Sequence, residues 1–87
     1  MYSNSIVRHL LDDIENYKRQ NYDAELMVNI YLSGDTSFYF SICDVFRIVD
    51  SEFLSIDEFK DGIPLKTLLR CDSIIGYDFS ITEDTPD

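Results

Sequence analysis

The chain has 87 residues, enough for one domain with a single core and too few for two. Its hydrophobic content of 45%, with three glycines and two prolines, excludes a disordered linker or a low-complexity protein. Seventeen acids against seven bases give a formal net charge of -10, which disfavours direct binding to nucleic acid or to an anionic membrane and favours a basic partner.

The charge is uneven along the chain. Asp12, Asp13 and Glu15 balance Arg8, Lys18 and Arg19, so the whole excess falls in residues 20 to 87. Acidity of this kind also serves plain solubility. No apolar run approaches the roughly 20 residues needed to span a bilayer, and residues 1 to 20 lack the apolar centre of a signal peptide. The expected compartment is the cytoplasm, or the host cytoplasm if the chain is encoded by a phage. Cys43 and Cys71 make no C-x-x-C pair, and two reduced, partly buried thiols are expected over a disulfide.

In chain order, the first element is an amphipathic helix over Ser5 to Arg19, with Ile6, Val7, Leu10, Leu11, Ile14 and Tyr17 forming one stripe. Ser3, Asn4 or Ser5 can cap it, and Arg8 with Asp12 and Glu15 with Arg19 have the spacing of i,i+4 ion pairs. The stripe is wide enough to cover one face of a small sheet.

Two alternating runs follow, joined at Ser33-Gly34-Asp35-Thr36. Tyr22, Ala24, Leu26, Val28, Ile30 and Leu32 alternate with Asp23, Glu25, Met27, Asn29 and Tyr31; then Phe38, Phe40 and Ile42 alternate with Ser37, Tyr39, Ser41 and Cys43. This predicts a hairpin. A two-residue Gly34-Asp35 loop would set Tyr31 opposite Phe38 and divide the apolar residues between two faces, so a loop of three or five residues is expected, with Ile30 opposite Phe38 or Phe40.

Beyond Ile42 the alternation continues through Phe46 and Ile48, but Asp44 falls on the apolar parity, where an unpaired carboxylate is costly to bury. The expectation is a bulged or bent strand at Cys43-Asp44, with a separate strand over Val45 to Val49 as the alternative. Ser55 and Glu58 have the spacing of a capping box and predict a short helix stopped by Gly62. A second short helix is predicted over Pro64 to Arg70, where Leu65, Leu68 and Leu69 share a side. Ile75, Tyr77, Phe79 and Ile81 return to a period of two and predict a last strand.

The fold class expected is therefore α+β: an N-terminal amphipathic helix packed on an antiparallel sheet of three to four strands, with one or two short helices before the last strand. Residues 1 to 82 form one compact domain in this reading, and residues 83 to 87 a mobile acidic tail.

Little in the sequence points to chemistry. Leu54 to Phe59 matches the second half of an EF-hand loop, but the positions that should hold its first ligands and glycine are Arg47, Val49 and Glu52, so calcium is not expected. His9 is the one histidine and has no assignable nucleophile. Spaced zinc ligands and phosphate-cradling glycine motifs are absent from the sequence. No cofactor and no catalytic activity are expected.

The outward-facing residues suggest a binding surface. Asp23 and Glu25 share a face at a spacing of roughly 6.5 to 7 Å, comparable to that of adjacent phosphates along one DNA strand. With Asp44, Asp50, Glu52, Asp57, Glu58, Asp61, Asp72 and Asp78, and with Tyr31 and Tyr39 among them, they make a candidate anionic surface for a basic partner. In size, acidity and helix-then-hairpin layout the chain resembles the small inhibitors that bacteriophages make against host nucleases and anti-CRISPR targets, some of them DNA mimics. That resemblance implies a non-catalytic inhibitor or decoy occupying the nucleic-acid site of a basic enzyme. The alternative is an immunity protein, antitoxin or accessory subunit that binds a protein through apolar or edge-strand surface.

Overall fold

The computed structural model describes residues 5–20 and 26–81. The capping residues Ser3 and Asn4, the start of the first predicted strand at 22–25, and the tail at 83–87 lie outside them.

Helix α1 spans Ser5–Arg19, as its apolar spacing predicts, and buries Val7, Leu10 and Ile14. The two predicted i,i+4 ion pairs do not close; the Arg19 guanidinium donates instead to Asn16 Oδ1 at 3.2 Å. Six strands follow: β1 (Leu26–Leu32), β2 (Thr36–Ser41), β3 (Val45–Val49), β4 (Phe53–Lys60), β5 (Ile63–Arg70) and β6 (Ile74–Ile81). They form two antiparallel three-stranded sheets, ordered β2-β1-β6 and β3-β4-β5.

The β1–β2 hairpin has a three-residue loop, the shorter of the two that the parity argument allows. Leu32 faces Thr36 and Ile30 faces Phe38, so Val28, Ile30, Phe38 and Phe40 share one face. Gly34 and Asp35 both take positive φ, 88° and 63°.

At Asp44 the chain leaves the first sheet. Strand β2 stops at Ser41, the Ser41 amide donates to Asp44 Oδ2 at 3.2 Å, and β3 begins at Val45 in the second sheet. The expected continuous bent strand is thus two strands joined by a short connector, with the carboxylate bonded to backbone in between. Ile42, within the connector, is fully buried.

Both predicted short helices are strands. Ser55 to Phe59 lies in β4 and Pro64 to Arg70 in β5, joined through Asp61 and Gly62, both at positive φ (54° and 78°), with Lys60 facing Ile63. An Asp-Gly pair between alternating runs is the signature of a two-residue hairpin, and it prevails here over the capping-box spacing of Ser55 and Glu58. Pro64 is tolerated because β5 is an edge strand. The one helical turn between β5 and β6 is a 3-10 turn at Cys71–Ser73.

The two sheets and the helix share one core. Val7, Leu10 and Ile14 of α1, Leu26, Val28, Ile30 and Phe40 of the first sheet, and Leu54, Ile56 and Leu69 of the second form a single buried cluster with Ile42, Cys71 and Ile74. Phe40 meets Phe46 edge-on across the sheets at 6.1 Å. Helix α1 lies along β6, where Tyr17 packs on Phe79 at 4.8 Å. Each sheet thereby keeps one covered and one outward face, with β2 and β6 at the edges of the first sheet and β3 and β5 at the edges of the second.

Candidate functional site

The outward face of the first sheet is read from its register. Tyr39, Asn29 and Asp78 form one row across β2, β1 and β6; Ser37, Tyr31 and Gly76 form the next. Asp78 is exposed and its carboxylate accepts two hydrogen bonds, from Asn29 Nδ2 at 2.6 Å and from the Tyr31 hydroxyl at 2.8 Å. The bond to Asp78, with some desolvation and the nearby carboxylate charge, pushes the Tyr31 phenol upward. Asn29, at 9% exposure, is almost wholly covered, and its Oδ1 has no hydrogen-bond donor among the described residues. Of the predicted residues, Tyr31, Tyr39 and Asp78 are brought together here; Asp23 and Glu25 lie outside the described residues.

The outward face of the second sheet carries Val45, Arg47, Asp57, Lys66, Leu68 and Arg70, and Ser55 on the same face is fully covered. Asp57 sits between two cations, Arg47 at 3.4 Å and Lys66 at 4.0 Å. It therefore adds no negative charge to a patch. Arg70 grips Asp72 through Nε and Nη2, both at 3.3 Å. Asp72 raises the guanidinium pKa further, and the Glu52 carboxylate adds to it. The Cys71 amide donates to the Glu52 carbonyl at 2.8 Å, which ties the β3–β4 turn holding Asp50 and Glu52 to the turn holding Asp72.

Asp44 and Glu58 lie close enough at the connector for their charges to interact. Burial, reinforced by Glu58, pushes the Asp44 carboxyl up, against the opposing pull of the Ser41 amide, Lys18 and Lys60. Asp61 occupies the β4–β5 turn, at the opposite end of β4 from the turn bearing Asp50 and Glu52. Apart from Asp57, the described members of the predicted anionic set are thus distributed over three places: Asp78 with the two tyrosines, the Asp50–Glu52–Asp72 end, and the connector and β4–β5 tip.

An apolar surface that the sequence pattern does not announce lies at that tip. Phe59 is 74% exposed there, with Val45, Ile63 and Leu65 exposed near it, while Leu68, exposed as well, faces Ser55 farther along β5. Val45, Phe59, Pro64 and Leu65 line a groove there together with Asp57 and Lys66. A helix over Pro64 to Arg70 would have turned its leucines to the core; the Asp61-Gly62 pair is the signal that puts them on an edge strand instead.

His9 is exposed on α1 and Cys43 and Cys71 are thiols, one exposed and one buried. Burial pushes the Cys71 thiol up, away from the reactive thiolate form. No group of three or more His, Cys, Asp or Glu among the described residues is placed to hold a metal ion. No helix among them is long and apolar enough to cross a membrane. No family model matches the chain, and the searches of curated proteins and of solved structures found no match.

Proposed function

We propose that the chain is a non-catalytic protein-binding module that docks on a basic partner through the β4–β5 hairpin and the open edge of β5. The observation that carries this reading is the apolar character of that hairpin: Phe59 and Leu68 are exposed on one face of the sheet and Ile63 and Leu65 on the other, around a strand whose outer backbone edge has no neighbour among the described residues. Exposed apolar side chains gathered beside an unpaired edge suit sheet extension by another chain. The net charge of -10 steers a basic partner toward the chain and accelerates encounter. An immunity protein, an antitoxin or an accessory subunit would work this way.

A second reading keeps the acids themselves as the contact: an inhibitor or decoy, of the anti-defence or DNA-mimic type, that fills the nucleic-acid site of a nuclease or similar enzyme. The net charge favours it. The division of the described carboxylates among three places, with Asp57 and Asp72 held by cations, gives a mimic less to work with.

The two readings separate on one partner captured from the source cell. With Phe59→Ala/Leu68→Ala, binding weakens by about thirtyfold or more, the loss of an interface anchor. With Asp50→Lys/Glu52→Lys, association slows while dissociation is nearly unchanged. The reverse result, loss on charge reversal and indifference to the apolar pair, would establish the decoy.

A further inference from the structure

We infer that β2 is the pairing surface for a second copy of this chain: two β2 strands meet antiparallel, edge to edge, with Phe38 opposite Phe38, and join the first sheet of each copy into one of six strands. This stands apart from the β5 docking surface, which lies on the other sheet, and does not depend on it.

Composition singles out this edge. The two sheets have four edge strands, β2 and β6 in the first, β3 and β5 in the second. Strand β3 carries Arg47, β5 carries Pro64, Lys66 and Arg70, and β6 carries Asp78; β2 has no Asp, Glu, Lys, Arg, His or Pro. Charges and prolines guard an edge against pairing with another strand, and β2 lacks both. In a chain of net charge -10, this is a place where two copies can touch without setting like charges directly opposite each other. Phe38 lies on the core side with Phe40 yet stays 38% exposed, and Tyr39 on the outward side is 64% exposed.

The backbone fixes the register. The Ile42 amide donates to the Leu26 carbonyl at 3.3 Å, in step with the β1–β2 pairing, so Phe38, Phe40 and Ile42 bond toward β1 while Ser37, Tyr39 and Ser41 turn their amides and carbonyls to the open side. At Ser41 both groups are taken, the amide by Asp44 Oδ2 and the carbonyl by the Asp44 amide at 3.1 Å. Ser37 and Tyr39 keep theirs, with no backbone partner among the described residues. Centring the pair on Phe38 sets each Ser37 opposite Tyr39 of the second copy, and every open amide then finds an open carbonyl. Centring it on Tyr39 would set Ser37 against the occupied Ser41. In the favoured register the two Phe38 rings adjoin on the core side in a non-hydrogen-bonded pair, the closer kind, and each covers the exposed part of the other. The contact is isologous and closes at two copies. At either end Asp35 comes opposite Ser41 of the second copy, where an Asp44 carboxylate is fastened, so salt strengthens the dimer.

The test is analytical ultracentrifugation of the whole chain from about 1 µM to about 1 mM. The wild type should show a monomer–dimer equilibrium whose dissociation constant falls several-fold between about 10 mM and about 0.5 M NaCl. Ser37→Pro removes an amide that faces away from β1, should keep the wild-type far-UV circular dichroism, and should weaken the dimer by at least about tenfold. Lys66→Pro, the same kind of change on the β5 edge, should leave it unchanged. Cross-linking in a Cys43→Ser background reads the register. Under mild oxidation Phe38→Cys should give a disulfide-linked dimer, because the facing Cα atoms lie about 4.5 Å apart. Thr36→Cys should not, because its two copies are four residues out of step, roughly 13 Å apart. A chain that stays monomeric throughout, a dimer that survives Ser37→Pro, or cross-linking equal at the two positions would overturn the proposal.

Discussion

At the scale of single residues the structure is most decisive where a polar group meets the core margin. The Tyr77 hydroxyl donates to Asp13 Oδ2 at 2.6 Å, joining β6 to α1 across 64 residues of sequence. Burial first, then that bond and the charges of Asp13 and Asp12, push the Tyr77 phenol up to about 12. A phenol whose pKa is higher folded than unfolded contributes stability that is fully present below the unfolded value, about 10, and is lost as pH rises through the folded one. The chain should therefore lose stability between roughly pH 10 and the folded value of about 12. Tyr77→Phe should remove that extra sensitivity and cost about 1 kcal/mol at neutral pH. Denaturant melts across this range, with tyrosinate absorbance followed in parallel, measure both; a wild type as insensitive to alkali as the variant would detach Tyr77 from the effect. Sequence alone could place Tyr77 on a strand and Asp13 on a helix. Their meeting depends on which strand the helix lies along, and no local pattern encodes that.

Among the elements, the two whose type differs from the sequence expectation are those in which two periodicities coexist. In Ser55 to Phe59 the capping-box spacing competes with the alternation of Leu54 and Ile56, both fully buried in β4. In Pro64 to Arg70, Leu65, Thr67 and Leu69 alternate while Leu65, Leu68 and Leu69 also suit a helix. Isolated short helices are weak, so tertiary pairing prevails once a tight turn makes it available. The Asp61-Gly62 turn is that device. Gly62→Ala meets no steric neighbour, since nothing lies within 4 Å of the added carbon, yet the residue must keep a φ of 78°. It should cost about 1 kcal/mol, whereas Gly76→Ala, which needs no positive φ and also meets nothing, should be close to neutral. Thermal melts of the two variants make the comparison; equal losses would mean that the turn conformation does not organise the hairpin. By contrast α1, the β1–β2 hairpin down to a choice between two loop lengths, and β6 are legible in the sequence, because each shows a single period over its length and the shared parity of the hairpin leaves few registers.

For the molecule as a whole, the question is whether -10 acts as a field or as a set of contacts. The described ion pairs are exposed: Arg47 with Asp57, Lys66 with Asp57, and Arg70 with Asp72, with cation side chains 55 to 65% accessible. Pairs of that kind contribute little each. The remaining acids outnumber the remaining cations, so the folded chain repels itself, and salt should relieve that repulsion more than it weakens the pairs. Raising NaCl from about 10 mM to about 0.5 M, which shortens the screening length from roughly 30 Å to a few ångströms, should increase the melting temperature. A gain of about 1 kcal/mol would appear as roughly 4 to 8 °C in a domain of this size. The same salt should slow capture of a basic partner by the whole field while sparing the apolar contacts at Phe59 and Leu68, so stability and association rate move in opposite directions. A melting temperature that falls with salt would mean that the paired cations outweigh the repulsion. The acids would then be local fastenings of the second sheet, and the attraction to a basic partner would lose its physical source.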